Sequence, residues 1–149
     1  GARATMTPRQ VEQRLRTIKN RLEKAIPEAE EKTINLAKRK AIQYSSGKWP
    51  LKRRRKSEYT YSKRYPFPPP PGPTVINVET GALKASWVVS RKGNKFVLEN
   101  TVFYERYMRD KIGTARMIPR PIMARIRREV APERLKYLQT AIRRSIKFP

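Results

Sequence analysis

Val11, Leu15, Ile18, Leu22 and Ile26 recur at intervals of four, three, four and four residues, the period of one face of a helix. Just before them, Thr7, Pro8 and Gln10 stand as N-cap, first-turn proline and capping-box partner. Pro27 removes a backbone donor and crowds the preceding turn, so a kink or restart is expected there. The stripe resumes through Leu36, Ala37, Ala41 and Tyr44, which predicts a long bent helix over residues 8–45. Lys and Arg crowd its other face, which reads as a solvated basic surface over an apolar stripe.

Ser45, Ser46 and Gly47 end that pattern, and residues 48–73, KWPLKRRRKSEYTYSKRYPFPPPPGP, contain no periodicity that could build a core. Prolines at 66, 68–71 and 73 favour polyproline II, whose backbone groups stay solvated or open to a partner. Tyr59, Tyr61, Tyr65 and Phe67 supply aromatic faces for docking. The stretch is expected to be an extended assembly arm, held by a partner.

From Thr74 the texture changes to alternation and turns. Val75, Ile76 and Val78 suggest a short strand. Trp87–Ser90 and Phe96–Glu99 suggest a hairpin, with Arg91-Lys92-Gly93-Asn94 as its turn. Residues 80–86, TGALKAS, have a cap residue and helix formers enough for one or two helical turns. Residues 102–108 fit a helical face (Val102, Phe103, Tyr107) or a strand face (Phe103, Glu105, Tyr107), and a short helix is preferred. Pro121 opens a last amphipathic helix through Ile122, Ile126, Val130, Leu138, Ile142 and Ile146, bent at Pro132. The expected class is α+β: a long N-terminal helix, a small antiparallel sheet, a C-terminal helix and an extended basic arm. One structural domain is expected, organised as a helical segment 1–47, the arm 48–73 and an α+β core 74–149.

Charge changes this picture more than any other property. Lys and Arg number 36 against 12 Asp and Glu, a formal net charge of +24, which points to polyanions or acidic protein faces as partners. The excess is spread along the chain, with 19 basic and 6 acidic side chains in residues 1–73 and 17 and 6 in residues 74–149. The absence of Cys and His removes thiol nucleophiles, disulfides, imidazole bases and most zinc or iron ligand sets. The 12 carboxylates form no obvious magnesium cluster, and Glu105 and Asp110 read as surface ion-pair partners. A nuclease is therefore the weakest reading; no catalytic residue, metal or cofactor is expected. No apolar run approaches the roughly 18 residues of a membrane helix, so a soluble chain is expected. Gly1 in place of Met suggests a processed or engineered start, with Met6 as another candidate.

Residues 111–121, KIGTARMIPRP, contain no carboxylate and lead into the last helix. Gly113 can take a positive φ, Thr114 can bond nearby backbone, and Pro119 and Pro121 stiffen the approach. Arg116 and Arg120 then project near a helix N-terminus, where a cation opposes the dipole and an acidic partner would offset it.

The order of these signals resembles the tail-component family of tailed bacteriophages, the neck or tail-completion proteins that include tail terminators. Thr80, Gly81, Leu83 and Ser86 match its first element, Asn100 and Tyr104 its second, and Gly113, Thr114, Met117, Arg120 and Pro121 its third. The match covers about residues 74–147. Asp110-Lys111-Ile112 and Ile122 depart from the family pattern, and the basic, proline-rich insert is longer than the usual bridge. The resemblance implies a non-catalytic virion protein assembled in the host cytoplasm. Copies would form a ring, commonly a hexamer, joining the head connector to the tail around the DNA channel.

Lys52, Arg53, Arg54, Arg55 and Lys56, with Arg116 and Arg120, are the candidates for contact with DNA phosphates or with an acidic neighbouring ring. The two readings weigh about equally. The arm's aromatics tilt the balance slightly to protein, because duplex DNA offers no unstacked bases. The alternative is a small basic nucleic-acid-binding protein of ribosomal type. It accounts for the charge but not for the paired Thr-Gly and Gly-Thr signals.

Overall fold

The structure, a computed structural model, describes residues 5–47, 82–101 and 122–149. Helix α1 spans Pro8–Tyr44, α2 spans Ala82–Ala85, strand β1 spans Trp87–Lys92, β2 spans Lys95–Asn100, and α3 spans Ile122–Ile146. The class is α+β, as the pattern predicts. The strand expected at 75–78, the segment 102–108, the arm 48–73 and residues 111–121 lie outside the described residues.

The capping box forms as expected. Thr7 has extended backbone, its hydroxyl accepts from the Gln10 amide at 3.2 Å, and its own amide donates to Gln10 Oε1 at 2.9 Å. Pro27 lies inside α1, which continues through it rather than restarting. The helix ends at Ser45, whose amide donates to the carbonyls of Ala41 at 3.0 Å and Ile42 at 3.2 Å, a tightened last turn that satisfies otherwise orphaned acceptors. Pro132 likewise sits inside a continuous α3.

The two long helices run antiparallel, as their contacts show: Tyr44 meets Glu129, Glu30 meets Arg134, and Arg21 reaches Ser145 and Lys147. Toward the β-hairpin, Ala37, Ala41 and Tyr44 of α1 share one buried cluster with Ile122, Ile126 and Val130 of α3. Small side chains on α1 let the helices approach, and the branched residues of α3 fill the space between them. Arg21 closes the far end by donating to the Ser145 and Lys147 carbonyls at 3.4 and 3.1 Å. A cation at a helix C-terminus satisfies open acceptors and complements the dipole. The guanidinium of Arg21 also lies 4.7 Å from the centre of the Phe148 ring, and that of Arg14 lies 4.8 Å from it.

The hairpin pairs Trp87 with Asn100 through Lys92 with Lys95, leaving only Gly93 and Asn94 as the turn. The four-residue turn expected from the sequence is therefore two residues long. Gly93 takes φ +62°, as primed turns require, and their twist matches that of the flanking strands better than a wider loop would. Trp87, Val89 and Leu98 share the face that joins the core, whereas Val88 is exposed. Trp87 is 3% exposed, and its indole N–H donates to the buried Ser45 hydroxyl at 2.9 Å. One bond thus ties the hairpin to the end of α1.

A second departure concerns the helical stripes. Val11 and Leu15 of α1, and Ile142 and Ile146 of α3, are exposed rather than in the core. The buried line on α1 runs through Ala29, Thr33 and the expected Ala37, Ala41 and Tyr44; Val11 and Leu15 continue the same face beyond the point where α3 ends beside Arg21. On α3 each four-residue step drifts by about 40°, so Ile142 and Ile146 have turned away from the face of Ile122 and Ile126.

Two stability measurements test this account. Trp87→Phe leaves the buried Ser45 hydroxyl without its donor and should cost about 1–3 kcal/mol in urea unfolding; adding Ser45→Ala should restore much of that polar loss. Gly93 has open space where a Cβ would stand, so Gly93→Ala should cost about 1 kcal/mol from its φ alone, and Gly93→Asn less.

Candidate interaction surface

Three of the residues singled out in the sequence come together at the base of the hairpin. Leu83 is buried, and its carbonyl accepts from Asn100 Nδ2 at 2.8 Å. Ser86 donates its hydroxyl to the Ala82 carbonyl at 2.6 Å, and its own carbonyl accepts from the Thr101 amide at 3.2 Å. These bonds close the short helix α2 onto the start of β1 and the end of β2. Leu83, Ser86 and Asn100 thus have architectural roles. Thr80, Gly81, Tyr104, Gly113, Thr114, Met117, Arg120 and Pro121 lie outside the described residues, as do Lys52 to Lys56, Arg116, Tyr59, Tyr61, Tyr65 and Phe67.

A polar junction that sequence reading missed links the helices beside this core. The buried Tyr44 donates its hydroxyl to Glu129 Oε2, and Lys40 stands 3.5 Å from the same oxygen. Arg125 donates to Glu129 Oε1 at 3.3 Å, and its guanidinium lies 3.8 Å from the centre of the Tyr44 ring. The hydrogen bond from Tyr44, then that from Arg125 and the charge of Lys40, outweigh partial burial and hold the Glu129 carboxyl below its ordinary value. Burial, and then the bond to Glu129, push the Tyr44 phenol up. Lys40 and Tyr44 are far from Arg125 and Glu129 in sequence, so no local motif announces their meeting. The arrangement is one carboxylate shared among three donors. It locks two helices and presents no activated nucleophile.

Most described acidic side chains are engaged by cations. Glu30 takes a forked contact from Arg134, at 2.8 Å to Nη2 and 3.1 Å to Nε, which raises the Arg134 pKa through that hydrogen bond and its charge. Glu12 pairs with Arg16, Glu23 with Lys19, Glu99 with Lys92 and Glu133 with Lys136. These pairs are solvent-exposed and contribute about 0–1 kcal/mol each. The cations far outnumber them. Residues 5–24 hold six Lys and Arg against two Glu, and residues 134–149 hold five with no Asp or Glu. The first turns of α1 and the last turns of α3 lie at the same end of the helical pair, because Arg14 and Arg21 meet Phe148 there.

That end is also apolar. Val11 and Leu15 are 42% and 61% exposed, and Leu135, Ile142 and Ile146 are 57%, 44% and 52% exposed. A groove of about 170 Å³ along the helical contact is open to solvent and has a mixed lining, with Ala25, Ala29, Tyr137 and Ala141 beside Glu28, Lys32, Thr140 and Arg144. It falls short of the ~300 Å³ typical of small-molecule pockets. Among the described residues, no group of three or more Asp or Glu could hold a metal ion, and no helix is long and apolar enough to cross a membrane. Comparison with protein-family models, with curated proteins and with solved structures finds no match.

The Glu129 junction makes a pH prediction. A carboxyl whose folded pKa lies below its unfolded value contributes fully above the unfolded value and loses its contribution as pH falls through the folded one. Stability should therefore decline on acidification from about pH 5. Glu129→Gln should flatten that limb in unfolding free energies measured across the acid range. Tyr44→Phe should instead remove a loss on the alkaline side, because the raised phenol contributes below its unfolded value and the contribution fades as pH rises through the folded one.

Proposed function

We propose that the chain is a structural subunit of the head–tail junction of a tailed bacteriophage, a neck, tail-completion or tail-terminator protein. Copies form a ring, commonly a hexamer, between the head connector and the tail around the DNA channel. The observation that carries this reading is the order of motifs. Thr80-Gly81-Ala82-Leu83 leads to a Gly-turn hairpin, then to Asn100 and Tyr104, then to Gly113-Thr114 and Arg120-Pro121 before the last helix. The α+β arrangement of a long N-terminal helix, a hairpin and a C-terminal helix is compatible with it.

The charge supports a place inside an assembly. At +24, free copies repel one another, and acidic neighbours or phosphates would relieve that repulsion. On this reading Lys52 to Lys56, Arg116 and Arg120 meet phosphates or an adjoining acidic ring, without sequence-specific base contact. Tyr59, Tyr61, Tyr65 and Phe67 anchor the arm on a neighbour. No chemistry is assigned to any residue. The ribosomal-type alternative draws on the charge alone.

Native mass spectrometry and negative-stain imaging of the purified chain, with and without residues 48–73, separate the two. The phage reading expects closed rings, or incorporation of the full chain into particles, and loss of incorporation when the arm is deleted. A monomer that binds naked RNA with steep salt dependence overturns it in favour of the alternative. Incorporation unaffected by the deletion removes the assembly role of the arm.

A further inference from the structure

Leu135, Leu138, Ile142 and Ile146 follow one another at intervals of three, four and four residues on α3, so they line a single narrow strip of that helix. The strip is separate from the buried line of Ile122, Ile126 and Val130. Three of its four residues are about half exposed. Isolated exposed leucines need no explanation, but four apolar residues in helical register form the kind of seam on which a second helix packs. Arg128 stands in line with the strip two turns before Leu135, and Arg143 flanks it by helical position; both are exposed, and neither enters an ion pair among the described residues.

We infer that this exposed strip of α3 is a docking surface for an acidic, apolar-edged helix of another protein. Charge complementarity selects that occupant. A second copy of this chain would bring the same excess, six cations to two carboxylates on residues 5–24 and five to none on residues 134–149, against itself, and like charges facing each other are costly. A nucleic-acid backbone would satisfy the cations but gains nothing from Leu135, Ile142 and Ile146. An anionic membrane favours a wide apolar face with aromatic anchors; here the strip is one side chain wide and has no aromatic member, and Phe148 is occupied by Arg14 and Arg21. A helix with an apolar seam and Glu or Asp along its flanks meets both features at once. The inference is independent of the ring assignment, since it rests only on the described helices.

The test uses the full chain and a synthetic helical peptide about three heptads long, with Leu at the seam and Glu on both flanks. A control peptide of equal charge replaces each Leu by Ser. At about 0.15 M salt, where exposed charges are screened beyond about 8 Å, the Leu peptide should bind at least about tenfold tighter than the control. Leu135→Ser, Ile142→Ser and Ile146→Ser together should abolish that preference and leave helix content unchanged. Arg128→Glu with Arg143→Glu, which leaves the apolar strip untouched, should weaken binding of both peptides. Equal binding of the two peptides, no binding of either, or a preference that survives the triple substitution overturns the proposal. So does a triple variant that loses affinity for duplex DNA or phosphatidylglycerol vesicles instead, or that dissociates a pre-existing dimer.

Discussion

Close packing of α1 against α3 is the contact on which the rest of the described structure depends. Ala37 and Ala41 let the axes approach, and Ile122, Ile126 and Val130 fill what remains, so that Ala41 and Ile122 are fully removed from solvent. Each fully buried branched side chain contributes about 1.5–3 kcal/mol. The hairpin joins this pair as a cap, inserting Trp87 and Leu98 into the same cluster beside Leu83. A two-stranded hairpin is marginal on its own; here the Trp87 indole, bonded to the hydroxyl that ends α1, gives it a fixed seat.

The polar contacts reinforce the same pairing. Arg21 on the α3 carbonyls, Arg134 on Glu30 and the Lys40, Arg125 and Tyr44 set around Glu129 are spread along the antiparallel contact. Glu129 carries the most partners, because it is half-withdrawn from water and two cations would otherwise face each other. Pairing on this scale uses few of the cations. What remains is a strongly positive surface whose self-repulsion works against the compact state, and any acidic partner that binds the folded chain stabilises it by mass action.

The motif residues behave differently from what a functional motif would suggest. Leu83 packs in the core, Asn100 bonds its carbonyl, and Ser86 turns back on Ala82, so their pattern preserves a fold junction.

Elements governed by neighbouring residues were legible in the chain itself: the capping box at Thr7 and Gln10, the length of both helices, the glycine in the turn and the α+β order. Each depends on interactions within a few residues, which a local pattern encodes. Much of the buried line was legible too: Ala37, Ala41 and Tyr44 on one helix and Ile122, Ile126 and Val130 on the other stand in the expected stripes and form the core. Val11 and Leu15 lie on the same helical face as Ala29 and Thr33, five turns away, and are exposed because α3 ends beside Arg21, a limit that only the tertiary structure sets. The meeting of Tyr44 with Glu129 and of Ser45 with Trp87 was equally hidden. Such contacts join residues distant along the chain, and helical period says which side chains share a face but not what that face will meet.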